Sequence, residues 1–516
     1  MKSFVLVLAL AALSVTPDFD SAVLVISGAS SIEDLDESTL EHFRALTLRP
    51  LNLNTAGRSR LLSSGLLNAF QVASLLDWRE RSGAVLSYSE LGLTDGFTPE
   101  YAEALSLFTT LETTDAPGTL HGRKLHNDLM LRASAKENDG RAYAAGLRYK
   151  ASLGGLAELN WATRTTYSEP ELKLGTVSGA LYGRRWLGKL VLGHFNARFG
   201  QGLALWSGFS LQHYGSVNSF RRNGTGFSPT GSFSPSHCGV AADFDLGRWN
   251  AGVAYSIPDR KPMATVSWSG RRLTAGLSAS DKTVSADFKL GLKNLGLYGE
   301  AAWNDGPAAV AGVVWVPSYG SKYGLRCSWI KGVPEAAAGA STRAFEAVTA
   351  LSTEQFRLML KYAPEFTAGP FTIGPSLRLA ARRKDAWRLE ARGELHLRAG
   401  AWAVNSRLDV VRCNDLSWLL NAEAGRAGEK LRIWARWTLF CVDNWDERIY
   451  VYERDAPGNF NVPAYYGRGY ALSLTGTWKP SRRHAVHCRI SYVEYPWMTT
   501  EKPSKAEVKL QYNFSL

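Results

Sequence analysis

The chain has 516 residues, 45% of them hydrophobic, which is too long for one ordinary domain. A mean hydropathy of −0.16 excludes a bundle of membrane-spanning helices, and five cysteines scattered singly exclude a disulfide framework or a zinc site. The net charge of +12 suits an anionic partner (lipopolysaccharide, nucleic acid or an acidic solute) or a basic surface with no specific ligand.

Lys2 precedes an apolar run from Phe4 to Leu13. The run is far shorter than the roughly 20 residues of a spanning helix and has the form of a secretory signal. Residues 1–22 are therefore expected to be a leader, with cleavage points among the small residues from Ala9 to Ala22.

Residues 31–112 carry helical spacing. Glu33, Asp34, Asp36 and Glu37 form an acidic first turn, and Phe43, Leu46 and Leu48 continue an apolar stripe. Leu75, Leu76 and Trp78 sit on a helix that ends near Arg79, Arg81 and Gly83. Pro99 marks another helix start, followed by Tyr101, Leu105 and Phe108.

The segments "LNLNTA", "LLDWRERSG" and "LSYSEL" resemble the paired helix-hairpin-helix domain of bacterial competence DNA receptors. That resemblance implies a small all-α domain. In the family, a Gly-hydrophobic-Gly turn brings backbone N–H groups to a DNA phosphate. Here the first turn aligns with Leu66, Leu67 and Asn68, which lack both glycines, and the second with Gly96, Phe97 and Thr98, which keep one. Side chains at these places crowd the backbone away from a phosphate. A protein-docking or structural module is expected, with nucleic-acid binding as the disfavoured alternative.

Residues 113–124 read as a linker, and the character changes from Leu125 to Leu516. "WRLEARGELHLR", residues 387–398, alternates apolar with charged or titratable residues throughout. A strand puts such positions on opposite faces. "WAVNSRLDVV" and "LRIWARWTLF" repeat the pattern. The region holds about 20 such segments, an even number being expected, each near the length of a membrane-spanning strand. Trp161, Tyr167, Tyr182, Trp186, Trp315 and Tyr319 fall at segment ends, where interfacial girdles lie. The ending "AEVKLQYNFSL" is similar to the assembly signal of gram-negative outer-membrane barrels. The fold expected is mostly β: a transmembrane antiparallel β-barrel over 125–516, preceded by a helix-hairpin-helix domain in the periplasm.

Alternation places Arg388, Glu390, Arg392, Glu394, Arg398, Arg407, Arg432 and Arg436 on the lumen face. Rings of arginine select anions in pores, whereas mixed-sign ladders tie neighbouring strands. Two long connections stand out, Gly200 to His237 and Asp443 to Tyr470. In the second, Asp443, Asp446, Glu447, Glu453 and Asp455 are candidates for a hard cation. Trp445, Tyr450, Tyr452, Phe460, Tyr465 and Tyr466 suit sugar stacking or plugging of the pore. With no nucleophile elbow, HExxH or phosphate loop, no catalytic, cofactor or metal residue is assigned and no enzyme is expected. The functional expectation is a porin-like or transport barrel in outer-membrane lipid with a helical module that meets a periplasmic or outer-membrane protein. A plugged scaffold of an envelope assembly or secretion complex, and DNA uptake, are the alternatives.

Overall fold

The computed structural model describes residues 19–516 except 30–31, 33–34, 36, 49, 113–124, 139, 155, 184–185, 209–214, 234, 271, 293, 319, 460, 482 and 499–503. The linker, Tyr319, Phe460 and most of the expected leader lie outside the described residues.

Six helices form the N-terminal body: α1 (Phe19–Ser27), α2 (Glu37–Leu48), α3 (Arg58–Ser63), α4 (Ala69–Ser82), α5 (Tyr88–Leu91) and α6 (Pro99–Leu105). Local signals set their starts. Asn68 and Gln71 form a capping box at α4, Ser87 caps α5, and Thr98 caps α6 ahead of Pro99. Val23, Ile26, Phe43, Leu61, Leu67, Leu75, Leu105 and Phe108 are buried in one shared core. The body therefore reaches back to Phe19, within the stretch 1–22 read as a leader, and α1 buries Ala22, Val23 and Ile26.

The rest is a closed antiparallel barrel in which the strand Leu125–Glu137 pairs with Lys505–Ser515. The ring has 24 strands, against the expected number of about 20. Gly226–Pro229 and Phe366–Ala368 are short extra segments laid on strands already paired to their ring neighbours. The low expectation has a physical cause. Many turns are only a few residues, such as Lys331–Gly332, where both residues take positive φ. That is the primed geometry that two-residue hairpins favour, so more strands fit in the same length.

The barrel exterior is apolar. Leu131, Leu159, Val253, Leu277, Leu325, Leu351, Leu389, Leu408, Leu472 and Leu510 are all exposed. A continuous surface of this kind belongs in lipid. Trp303, Trp329 and Trp387 ring one end, and Trp249, Trp315, Trp402 and Trp478 ring the terminus-side end, where the first barrel strand starts and the last one finishes. Trp161 and Trp186 are also exposed. Tyr182 departs from the expected girdle, because its hydroxyl donates to Glu158 and Arg60 of α3 stacks over its ring. Tyr167 departs too, donating to Glu507.

Candidate functional site: the filled lumen

The helical body, expected in the periplasm ahead of the barrel, contacts the barrel wall from within. It is seated in the terminus-side mouth, and α3 meets the wall first. Arg58 donates to Ser269, and Ser59 Oγ donates to Asp245 Oδ2 at 3.0 Å. Lys189 Nζ donates to Ser63 Oγ at 2.6 Å and pairs with Asp243 at 2.9 Å. With side chains only 1% and 7% exposed, the Lys189–Asp243 pair is sealed by the body above it. On the other side, Glu100 of α6 pairs with Lys322 at 3.1 Å.

Two wall glycines make the close seat possible. A Cβ on Gly188 would lie 2.3 Å from Ser59 Oγ, and one on Gly291 would lie 2.4 Å from the Phe70 ring. Glycine inside a strand marks such an approach of another element. Phe70 is wedged between Gly291 and Gly96, where an added Cβ would lie 2.6 Å from the same ring.

The hairpin positions are accounted for within the body. Leu66 and Leu67 are fully buried and Phe97 nearly so. The N–H of Leu66 donates to Ser64 Oγ at 3.2 Å, and that of Asn68 to Gln71 Oε1 at 3.0 Å. Gly96 O accepts from Gln71 at 3.0 Å, and Thr98 Oγ1 accepts from Tyr101 N–H at 3.2 Å. The left-handed residue of the first turn is Gly65, φ +66, one place before the aligned triplet, and it faces Thr225 of the barrel's first long connection. The turn is thus directed at the barrel, and two of its N–H groups are taken by side chains.

Both long connections fold inward from the far end. In the first, Phe220 O accepts from Tyr298 at 2.7 Å and from Arg326 at 3.4 Å. Val217 and Phe220 pack on Gly324 and Gly339 of the wall. Ser216 Oγ donates to Gly28 O, just past α1.

In the second connection the expected arginines find their use. Arg388 donates to the carbonyls of Asp446 and Arg448, Arg407 to that of Tyr450 at 2.9 Å, and Arg436 to that of Tyr452 at 2.7 Å. Arginines from three strands thus hold every second carbonyl from Asp446 to Tyr452. Arg392 pairs with Asp409 at 2.8 Å, and Glu390 with Arg388. Glu394 accepts from Ser376 at 3.5 Å, and Arg432 donates to Gly428 O at 3.3 Å. Arg398 and Arg432 are exposed. The structure does not gather all eight into one ring.

The carboxylates of this segment do not converge either. Asp443 pairs with Arg468, Glu453 with Arg489, and Asp455 with Lys509 at 2.8 Å. Glu447 accepts from the N–H groups of Asn414 and Asp415, at 2.9 and 2.6 Å, and from Ser417. Burial pushes its carboxyl up, but these hydrogen bonds outweigh burial and hold it below the ordinary value. Among the aromatics, Trp445 and Tyr466 pack edge to face, and Tyr465 is buried against Phe440. Tyr452 reaches the helical body and accepts from Arg44 of α2 at 3.1 Å. Burial raises its phenol above the ordinary value and keeps it protonated.

Sequence reasoning missed Gly188, Lys189, Asp243 and Gly291. The glycines inside strand patterns were the available signal. Taken together, the geometry is that of a membrane β-barrel whose lumen is occupied by its own N-terminal body and by two of its connections. No family model and no curated protein matches the chain. Among solved structures it is similar to Pseudomonas aeruginosa OccK3 (OpdO), at 12% identity and TM-score 0.33, covering 76% of this chain and 96% of that one. It is also similar to the outer-membrane protein opdK of the same organism, at 11% and 0.32, covering 76% and 99%. Acinetobacter baumannii OccAB3 aligns at 10% and 0.31, covering 76% and 100%. Likeness this distant transfers neither structure nor function, and the closed ring is read from this chain's own strand pairing.

Proposed function

We propose that the chain is an outer-membrane transport barrel closed by its N-terminal helical body, which must shift or leave for solute to pass. One observation carries this reading. Every buried residue of the body's apolar core lies within 22–108, with Tyr452 of the second connection packed against it, whereas its seat on the wall is built from polar pairs and glycine contacts. A unit with its own core keeps its fold when polar contacts to the wall exchange for water, because net hydrogen-bond contributions are only about 0.5–1.5 kcal/mol each. Large outer-membrane transporters with plugged lumens follow the same logic.

The apolar belt and two tryptophan rings suit outer-membrane lipid and lipopolysaccharide as the surroundings. The terminus-side end then faces the periplasm, and the long connections face outside. A leader cleaved before Phe19 leaves α1 whole. A plugged scaffold is the second reading, favoured by the many bonds that fix the segment 443–466 in place. DNA uptake draws no support from hairpin turns directed at the barrel.

Planar-bilayer conductance tests the proposal. Full-length protein is expected to be silent, and a variant lacking residues 19–112 to show discrete steps. Silence from both, with the barrel folded, would favour the scaffold, and equal conductance from both would remove the plug.

A further inference from the structure

Leu86 and Leu93 are the most exposed large hydrophobic residues described, at 77% and 81%. Unlike the exposed leucines of the barrel, they are on the helical body and off the lipid-facing wall. They bracket α5 and are fixed by one residue, since Leu86 N–H donates to Glu90 Oε2 at 2.7 Å and Leu93 N–H to Glu90 O at 3.1 Å. The pair is therefore held on a capped turn. The elements before and after it in the chain meet the same rim, Phe70 of α4 at Gly291 and Glu100 of α6 at Lys322, so the turn between them belongs to the part of the body at the mouth.

The stretch that carries the pair is acidic: residues 77–112 hold seven carboxylates and two arginines, and Glu80, Asp95, Glu103 and Glu112 are exposed. Of the nearby cations, Arg81 is paired with Asp77, and Arg79 turns inward to the carbonyls of Leu53 and Ala56. In a chain of net charge +12, an acidic stretch carrying two bare leucines is a local reversal of sign. Potentials at interfaces are complementary, and exposed apolar groups rimmed by polar residues mark contact sites.

We propose that this face docks a periplasmic protein segment in which lysine or arginine flanks an aliphatic or aromatic side chain. The aliphatic group covers Leu86 and Leu93, and the cations meet Glu80, Asp95 and Glu103. The proposal rests on the reading of the helical body as a plug and names what engages it from the periplasmic side.

The test uses full-length protein in its native outer membrane, with a benzophenone side chain placed at Leu86, at Leu93 or, as a control, at Trp445 on the far end. Irradiation is expected to give an adduct from the first two positions only, joined to a second protein at a peptide carrying an apolar residue beside lysine or arginine. Triple reversal E80K/D95K/E103K is expected to lower the yield about tenfold. Adducts only to residues 113–124 of the same chain, only to lipid, or insensitive to the reversal would overturn the proposal, as would no adduct. Conductance of the same preparation separates the two failures. A silent barrel without an adduct loses the docking site and keeps the plug. A conducting full-length barrel loses the plug.

Discussion

The two sides of this barrel wall solve one problem in opposite ways. Along the strands from Trp249 to Ser280, the inward positions are mostly small, Met263 being an exception: Asn250, Gly252, Ala254, Ser256, Ser269, Thr274, Ser278 and Ser280. Along the strands from Phe371 to Val442 many of them are long and charged: Arg388, Glu390, Arg392, Arg407, Asp409, Glu423 and Arg436. A wide ring encloses more space than side chains alone fill. Small residues leave room where a folded body enters, and long charged ones reach out where a connection has to be held. Inward arginine in this barrel is thus first a fastening for backbone carbonyls, and its presence alone is no sign of an anion path.

That contrast can be broken from either side. The largest effect is expected from removing residues 19–112, which turns a silent barrel into a conducting one, provided heat-modifiable mobility shows the barrel folded. Next is K189M. It strips a buried carboxylate, Asp243, of its partner, and breaking such a pair costs about 3–5 kcal/mol. The urea midpoint for release of the helical body, followed by protease cleavage, should fall accordingly. An unchanged midpoint would mean that the body does not seal this pair.

On the same side, G291L fills the seat of Phe70. Overpacking costs about 1–3 kcal/mol, and intermittent opening in bilayers is expected with the barrel intact. On the charged side, E447Q removes a carboxylate that gathers three backbone N–H groups, those of Cys413, Asn414 and Asp415, and the Ser417 hydroxyl, at about 1–3 kcal/mol. The sign with pH follows from its lowered folded value. Its stabilisation is present above the unfolded value of about 4.3 and is lost as pH falls through the folded one. Protease sensitivity of the segment 443–466 should therefore rise in acid for the native chain, and E447Q should flatten that rise.

Much of this was legible in the sequence because it is local. The period of two in residues 387–398 placed Leu389 and Leu395 outside, where both are exposed, and Pro99 marked the start of α6. The strand number was less legible, because short turns such as Lys331–Gly332 have no fixed spacing. The face of Arg407 and Arg436 could be read, but the Tyr450 and Tyr452 carbonyls they bind could not. Such contacts join segments distant in sequence, and alternation does not encode them. The seat of α3 was invisible for the same reason: Ser59 and Gly188 say nothing of each other until the ring closes around the body.

That last pair gives the most direct test. In a background with the native cysteines replaced by serine, S59C and G188C put two thiols where a Cβ on Gly188 approaches Ser59 Oγ to 2.3 Å. A disulfide between the body and the wall, formed by mild oxidation in intact outer membranes and reversed by reductant, is the expected result. Absence of that bond in folded protein, with both thiols open to a water-soluble maleimide, would contradict a helical body seated inside the barrel.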